Sequence, residues 1–272
     1  MTEVRPTAGA AGGLSVERRG GTAYVWLDRP TKLNALDWPM RLGLEQLWRQ
    51  LAGDTSLRCV VLSGRGRGFC VGADVGDLAA ERRAHGASVH EELSFLPGFQ
   101  LDVPVVVGVN GVCAGGGLHF VADADIVVAA ASARFLDPHV EVGQVSGIEP
   151  ASLLLRMPVP ALNRLALLGR AGALDAREAL TAGLVGEVVP DDGLDTRLQE
   201  IAASVEASSP AALAATRRLL RGLESSLVGR AMQEGWDEVQ RHWSHPDATE
   251  GPRAFAERRP PVWHRRQGPP PG

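Results

Sequence analysis

Two glycine-containing turns carry the residue types best suited to chemistry: Gly68-Phe69-Cys70-Val71-Gly72-Ala73-Asp74 and Asn110-Gly111-Val112-Cys113-Ala114-Gly115-Gly116-Gly117. Glycine admits positive φ and lets a ligand approach the backbone closely. In the second turn three consecutive glycines lead into Leu118-His119-Phe120-Val121-Ala122, which reads as a helix. The first N–H groups of a helix have no intrahelical acceptor and lie at the positive end of its dipole. Such a turn suits an anion, or an oxygen on which negative charge develops. On its own, each turn is equally compatible with an ordinary strand-to-helix connection.

Strands must hold both turns in place. Residues 14–18 and 22–28 read as two strands around the Gly20-Gly21 turn signal. Asp37 is a good N-cap with Pro39 early in the following helix, where Met40, Leu44, Leu47 and Leu51 make one apolar face. Cys59-Val60-Val61-Leu62 is a buried-strand run ended by the glycine-rich segment 63–68; residues 104–109 and 126–128 are further β-branched runs. Strands alternating with helices imply an α/β domain with crossover connections. Beyond about Pro150 the character changes: Asp175 with Glu178 signals a capping box, and 194–208, 211–223 and 226–243 are helical in pattern. The expected organisation is a flexible N-terminus over 1–13, an α/β core over 14–195, a helical C-terminal region over 196–263 and a disordered tail over 264–272.

Composition narrows the chemistry. The chain has 272 residues, 44% hydrophobic and 22% charged, which is enough apolar content for a sizeable core. A net charge of −4 gives no reason to expect a nucleic-acid or membrane partner. Cys59, Cys70 and Cys113 have no C-x-x-C spacing and sit among apolar residues, so they read as buried hydrophobes in a reducing, cytoplasmic compartment. There is no secretion signal and no long apolar run. G-x-S-x-G, G-x-G-x-x-G and H-E-x-x-H are all absent, and Lys32 is the sole lysine, which excludes a P-loop. The seven histidines are scattered, so no metal site is expected.

Taken together and in order, the motifs resemble the crotonase (enoyl-CoA hydratase/isomerase) superfamily. Leu27-Asp28-Arg29-Pro30 followed by Leu33-Asn34-Ala35-Leu36 is similar to its N-terminal signature. The segment from Phe69 to Asp74 resembles its first oxyanion segment, and that from Val109 to Gly117 its second. Ala182-Gly183-Leu184-Val185, within 174–189, matches an A-x-x-x-G-L-V region, and the run from Phe255 to Trp263 resembles the closing F-x-E-x-R-x-P-x-[FW] segment. The resemblance implies an α/β fold with a crotonase-like ββα spiral core and a helical C-terminal trimerisation region, assembled as a homotrimer or dimer of trimers. It also implies an acyl-CoA substrate, with coenzyme A as part of that substrate and no prosthetic group. Carried over by residue, the backbone N–H groups of Ala73 and Gly116 would polarise a thioester carbonyl and hold the enolate. Arg29, Lys32, Ala35, Asp74 and Arg258 would contact the coenzyme A portion, with Arg259 helping to close the nucleotide pocket. The family's basic position two places after Asp74 is Gly76 here.

The sequence departs from the hydratase pattern at the two glutamates that flank the substrate double bond. Their positions hold His119 and His139. Histidine, with an ordinary pKa near 6.5, exchanges protons near neutral pH without large tuning, so the two imidazoles could form an acid/base pair. A hydrogen-bonded structural role is the bland alternative for each. Glu141 lies two residues past His139, on the same side if the segment is extended. Glu149 lies ten residues past it. Family branches that cleave β-diketones pair such a histidine with an aspartate about nine residues later, a position held here by Ile148. Asp74 and Asp137 read as turn-ordering residues. The leading reading is therefore an enoyl-CoA hydratase/isomerase-like lyase or isomerase. A β-diketone-type C–C hydrolase and a non-catalytic acyl-CoA-binding homologue are its alternatives.

Overall fold

A computed structural model describes residues 12–74 and 87–264. Gly76 lies outside the described residues, as do residues 1–11 of the expected N-terminal segment over 1–13 and residues 265–272 of the expected tail over 264–272.

The strands are β1 (Leu14–Arg19), β2 (Thr22–Leu27), β3 (Cys59–Gly64), β4 (Gly68–Cys70), β5 (Val105–Val109), β6 (Val112–Ala114), β7 (Ile126–Ala130), β8 (Arg134–Leu136), β9 (Leu174–Asp175) and β10 (Glu187–Val189). The helices are α1 (Trp38–Ala52), α2 (Val89–Glu92), α3 (Gly117–Asp123), α4 (Ile148–Leu153), α5 (Val159–Leu167), α6 (Ala176–Thr181), α7 (Leu194–Glu206), α8 (Pro210–His242) and α9 (Asp247–Ala256). They build a six-stranded sheet in the order β1-β2-β3-β5-β7-β10 and a four-stranded sheet in the order β4-β6-β8-β9. Each of the pairs β3/β4, β5/β6 and β7/β8 sends its first strand to the large sheet and its second to the small one. The shared strands are parallel in both sheets, so the chain winds as a spiral of ββ units.

The continuous apolar runs of β3, β5 and β7 reflect burial on both faces. Val60, Leu62, Val105, Val107 and Val109 join Met40, Leu44 and Trp48 of α1 and Phe69, Phe120 and Phe135 in one cluster. The alternate residues Cys59, Val61, Val106 and Val128 pack on Leu194, Leu198 and Val205 of α7. The capping box of Asp175 and Glu178 forms at α6, and Asp37 caps α1 by accepting from the Met40 N–H. All three cysteines are buried, and burial pushes the Cys59 and Cys70 thiols up to about 12, which leaves them unreactive.

Two expectations need correction. Residues 210–242 form one helix rather than two. The serines at the expected break keep their backbone donors, and Ser226 turns its hydroxyl back to donate to the Leu223 carbonyl at 2.8 Å. The small sheet, moreover, runs through the segments read as glycine turns: three of its strands are three residues long, too short for any periodicity to reveal.

Asn34 ties the N-terminal signature to this small sheet. It is fully buried with φ +57, its amide donates to the carbonyls of Arg65, Gly68 and Phe69 at 3.0, 2.8 and 3.1 Å, and its Oδ1 accepts from the Arg29 N–H at 2.8 Å. Asn34→Ala leaves those groups without their buried partner and puts alanine in a left-handed conformation. It is expected to lower stability by about 2–4 kcal/mol, read from denaturant unfolding.

Candidate active site

Three neighbouring parallel strands, β4, β6 and β8, end side by side, and the segment leaving each carboxyl end brings one part of the site. After β4, the Leu36 N–H donates to the Gly72 carbonyl at 2.8 Å and the Asp74 N–H donates to the Leu36 carbonyl at 2.9 Å. Ala73 sits between these two bonds. Gly72 has φ +83, and a Cβ there would stand 2.8 Å from the Gly116 nitrogen, so only glycine fits. After β6, Gly115 has φ +48 and donates its N–H to the Leu136 carbonyl at 3.1 Å. Gly116 caps α3 in a helical conformation, and a Cβ built on it would lie 3.7 Å from the Ala73 nitrogen. The two turns are thus in van der Waals contact. Among the described residues, no hydrogen bond engages the N–H of Ala73 or of Gly116. Because α3 has only seven residues, the individual amides matter more than a macrodipole.

After β8 comes Asp137-Pro138-His139. His139 opens a 3-10 turn (His139–Val142), and its Nδ1 lies 2.5 Å from Asp137 Oδ1. A Cβ on Gly115 would meet His139 Cε1 at 3.3 Å, so the imidazole lies against the second glycine turn. His139 Nε2 is 3.7 Å from Glu149 Oε1, and His119 Nε2 is 3.1 Å from the same oxygen. His119 lies on the first turn of α3 and Glu149 on the first turn of α4, which packs against α3. Both are buried, and His119 Nδ1 has no hydrogen-bond partner among the described residues. The site therefore strings two imidazoles on one carboxylate, with a second carboxylate behind His139.

Charge dominates burial here. Burial alone would push His139 down, but the carboxylates of Glu149 and Asp137 hold it up at about 9. Burial would likewise raise Glu149, yet His139 first and His119 second hold it down at about 2. The sign of the linkage follows. The stability from His139 is complete below its ordinary 6.5 and is lost as pH rises through about 9. That from Glu149 is complete above its ordinary 4.5 and is lost as pH falls through about 2. Unfolding free energy measured against pH is expected to show this pair's full contribution between 4.5 and 6.5, and Glu149→Gln should flatten both shoulders.

Other expected residues fall elsewhere. Glu141 does not share a side with His139: the segment is a 3-10 turn ending at Gly143, φ +65, not an extended strand. The Glu141 carboxylate instead accepts from the Arg170 backbone N–H at 2.8 Å and faces Arg170 Nε at 3.4 Å. Arg29 contacts both Ala35 and Asp74. Arg29 Nη2 lies 3.1 Å from Asp37 and 3.2 Å from Asp74, and Nη1 donates to the Ala35 carbonyl. The Arg29 charge is therefore spent on carboxylates rather than held out for a phosphate. Lys32 is exposed in the turn Pro30–Lys32, and Arg258 is exposed just past α9. Arg259 is clamped by Glu250 and Glu257 at 2.5 and 2.6 Å. Asp137 does order its turn as expected, accepting from the His139 N–H at 3.2 Å. Its contact with the His139 ring was missed, although the two-residue spacing offered the signal. Asp137, His139 and Glu149 bring potential ligand atoms within 4.8 Å of one another; hydrogen bonding already engages Asp137 with the ring.

Comparison with known proteins matches residues 17–266 to the enoyl-CoA hydratase/isomerase family model. The chain is 33% identical over 259 residues to enoyl-CoA hydratase EchA19 of Mycobacterium tuberculosis, covering 92% of this chain and 96% of that protein. It is 35% identical over 254 residues to mevalonyl-coenzyme A hydratase SIDH of Beauveria bassiana, covering 88% and 90%. Among solved structures, an enoyl-CoA hydratase/isomerase from Pseudoalteromonas atlantica T6c superimposes with a TM-score of 0.83 at 31% identity, covering 93% of this chain and all of that one.

Proposed function

Because the chain belongs to the enoyl-CoA hydratase/isomerase family, we propose that it seats a thioester carbonyl oxygen between the Ala73 and Gly116 amides and moves a proton at the adjacent α-carbon through His139. It is an acyl-CoA-processing enzyme of the lyase or isomerase type, and its fold is the family's α/β spiral with C-terminal helices. One observation carries the finer reading: two unengaged amides belong to turns that pack on each other, with an imidazole packed on the second of them. Moving electron density onto a thioester oxygen is what two fixed N–H donors stabilise, and each such donor is worth about 10²–10³ in rate.

In the hydration direction, water oxygen bonds to the β-carbon and the double-bond electrons pass to the thioester oxygen. The enolate collapses as His139, charged near neutral pH because its folded pKa is held up at about 9, gives its proton to the α-carbon. Loss of that charge removes the strongest influence holding Glu149 acidic. Glu149 takes the water's proton as the C–O bond forms and returns it to the imidazole once His139 has given up its own. Atoms balance as enoyl thioester plus water giving β-hydroxyacyl thioester.

Lys32 and Arg258, both exposed, are assigned to the coenzyme A phosphates, and Arg29 ties Asp74 and the Ala35 carbonyl together next to the Pro30–Lys32 turn. Association as a homotrimer or dimer of trimers is supported by the exposed stripe Leu219, Leu220, Leu223 and Leu227 on α8. We retain a core over 14–195 and a helical region over 196–263 as the organisation that goes with this function.

A panel of enoyl-CoA esters, followed by loss of conjugated absorbance and by product mass, tests the reading. Turnover with incorporation of solvent deuterium at the α-carbon is expected; no turnover together with no CoA-ester binding by calorimetry overturns it. Asp137, His139 and Glu149 also favour a second reading. In it the imidazole, once it has given up its proton above about pH 9, activates water for attack on a β-dicarbonyl, and the enolate released by C–C cleavage rests on the same amides. A product one water heavier from a cyclic β-diketone would select it.

A further inference from the structure

Asp137 is the least exposed acid at the site, with 1% of its surface accessible. Each of its oxygens is spoken for. Oδ1 accepts from the His139 backbone N–H at 3.2 Å and lies 2.5 Å from His139 Nδ1, while Oδ2 accepts from the Ser146 hydroxyl. Ser146 stands nine residues beyond Asp137, in the segment between the 3-10 turn and α4. Nine residues beyond His139, the chain offers only the buried side chain of Ile148. The groups facing His139 are Asp137 from its own turn, Glu149 from α4, His119 of α3 across Glu149, and the backbone of Gly115.

A carboxylate has no proton to offer, so the Asp137–His139 contact places a proton on Nδ1. The proton that can be exchanged with a substrate is then the one on Nε2. A ring without that partner could rotate about its χ angles or adopt the other tautomer, either of which moves the reactive nitrogen. Ser146 in turn prevents the carboxylate from rotating away, because its hydroxyl fixes the second oxygen.

We propose that Asp137, itself held by Ser146, is the positioning residue that fixes the orientation and tautomer of His139 for proton transfer. This rests on the role given to His139 above. Asp137 touches no reacting atom; it acts through the ring.

Asp137→Asn in the full-length chain is the test, with kcat, KM and the pH dependence of the rate measured on whichever enoyl-CoA ester is turned over. The expected result is a fall in kcat of about 10²-fold or more with KM changed little. The basic limb of the pH–rate profile, expected near 9 in the native enzyme because the carboxylates hold His139 up, should move to lower pH. Ser146→Ala, which leaves the carboxylate in place, is expected to give a smaller loss of kcat, about 3–10-fold, with the basic limb displaced in the same direction. It keeps the test open should Asp137→Asn fail to fold. Adding Asp137→Asn to His139→Ala should cost nothing further. Native kcat and an unmoved profile in Asp137→Asn and Ser146→Ala, with His139→Ala inactive, would overturn the positioning role and leave the proposed function standing. Full activity in His139→Ala would overturn both.

Discussion

Gly116→Pro is expected to fold and to turn over enoyl-CoA esters about 10²–10³-fold more slowly than the native enzyme, while Gly116→Ala keeps most of its activity. The conformation of Gly116, φ −54, is one proline adopts without strain. Its N–H is engaged by no acceptor among the described residues, so proline removes no internal hydrogen bond. The start of a helix also tolerates proline well. What proline does remove is the donor itself, replacing hydrogen with a ring carbon where a substrate oxygen is proposed to sit. Alanine keeps the N–H, and its Cβ would meet Gly72 Cα at 3.4 Å, an ordinary contact. Thermal melts and kcat/KM on the two variants check the pair of outcomes; native turnover in Gly116→Pro would remove this amide from the chemistry.

His139→Ala is expected to lower kcat for hydration by about 10²–10⁴. The side chain is replaced by space against Gly115, and both flanking carboxylates survive: Asp137 keeps the Ser146 hydroxyl and Glu149 keeps His119. The variant should therefore fold, and added imidazole should restore part of the rate. The native rate should fall as pH rises through about 9, where the imidazolium gives up its proton. The variant should lack that limb. A rate-against-pH series on both proteins, with and without imidazole, measures the two effects together.

The parts of this architecture that could be read from the sequence are those written in runs long enough to have a period. Strands β3 and β5 announce themselves as unbroken apolar stretches, and α1 by the spacing of Met40, Leu44 and Leu51. The small sheet is not written that way. β4, β6 and β8 owe their existence to pairing with neighbours distant in sequence, and their residues look like turns. Glu149 shows the same limit at the site. A helix rotates each successive side chain by about 100°, so whether Ile148 or Glu149 faces the imidazoles depends on the phase of α4. That phase is set by packing: Ile148 goes into the core cluster, which turns Glu149 toward His119 and His139. Glu141 failed for the related reason that a 3-10 turn replaces the extended segment its placement required. His119 and His139 were legible because each follows a strand end at short range, where turn geometry leaves little freedom.

The most direct measurement is a structure with an acyl-CoA ester bound, read at the thioester oxygen. The expected result places that oxygen about 2.7–3.1 Å from both the Ala73 and Gly116 nitrogens, with His139 Nε2 over the α-carbon. An oxygen out of reach of either nitrogen would contradict the account, whatever the imidazoles contact.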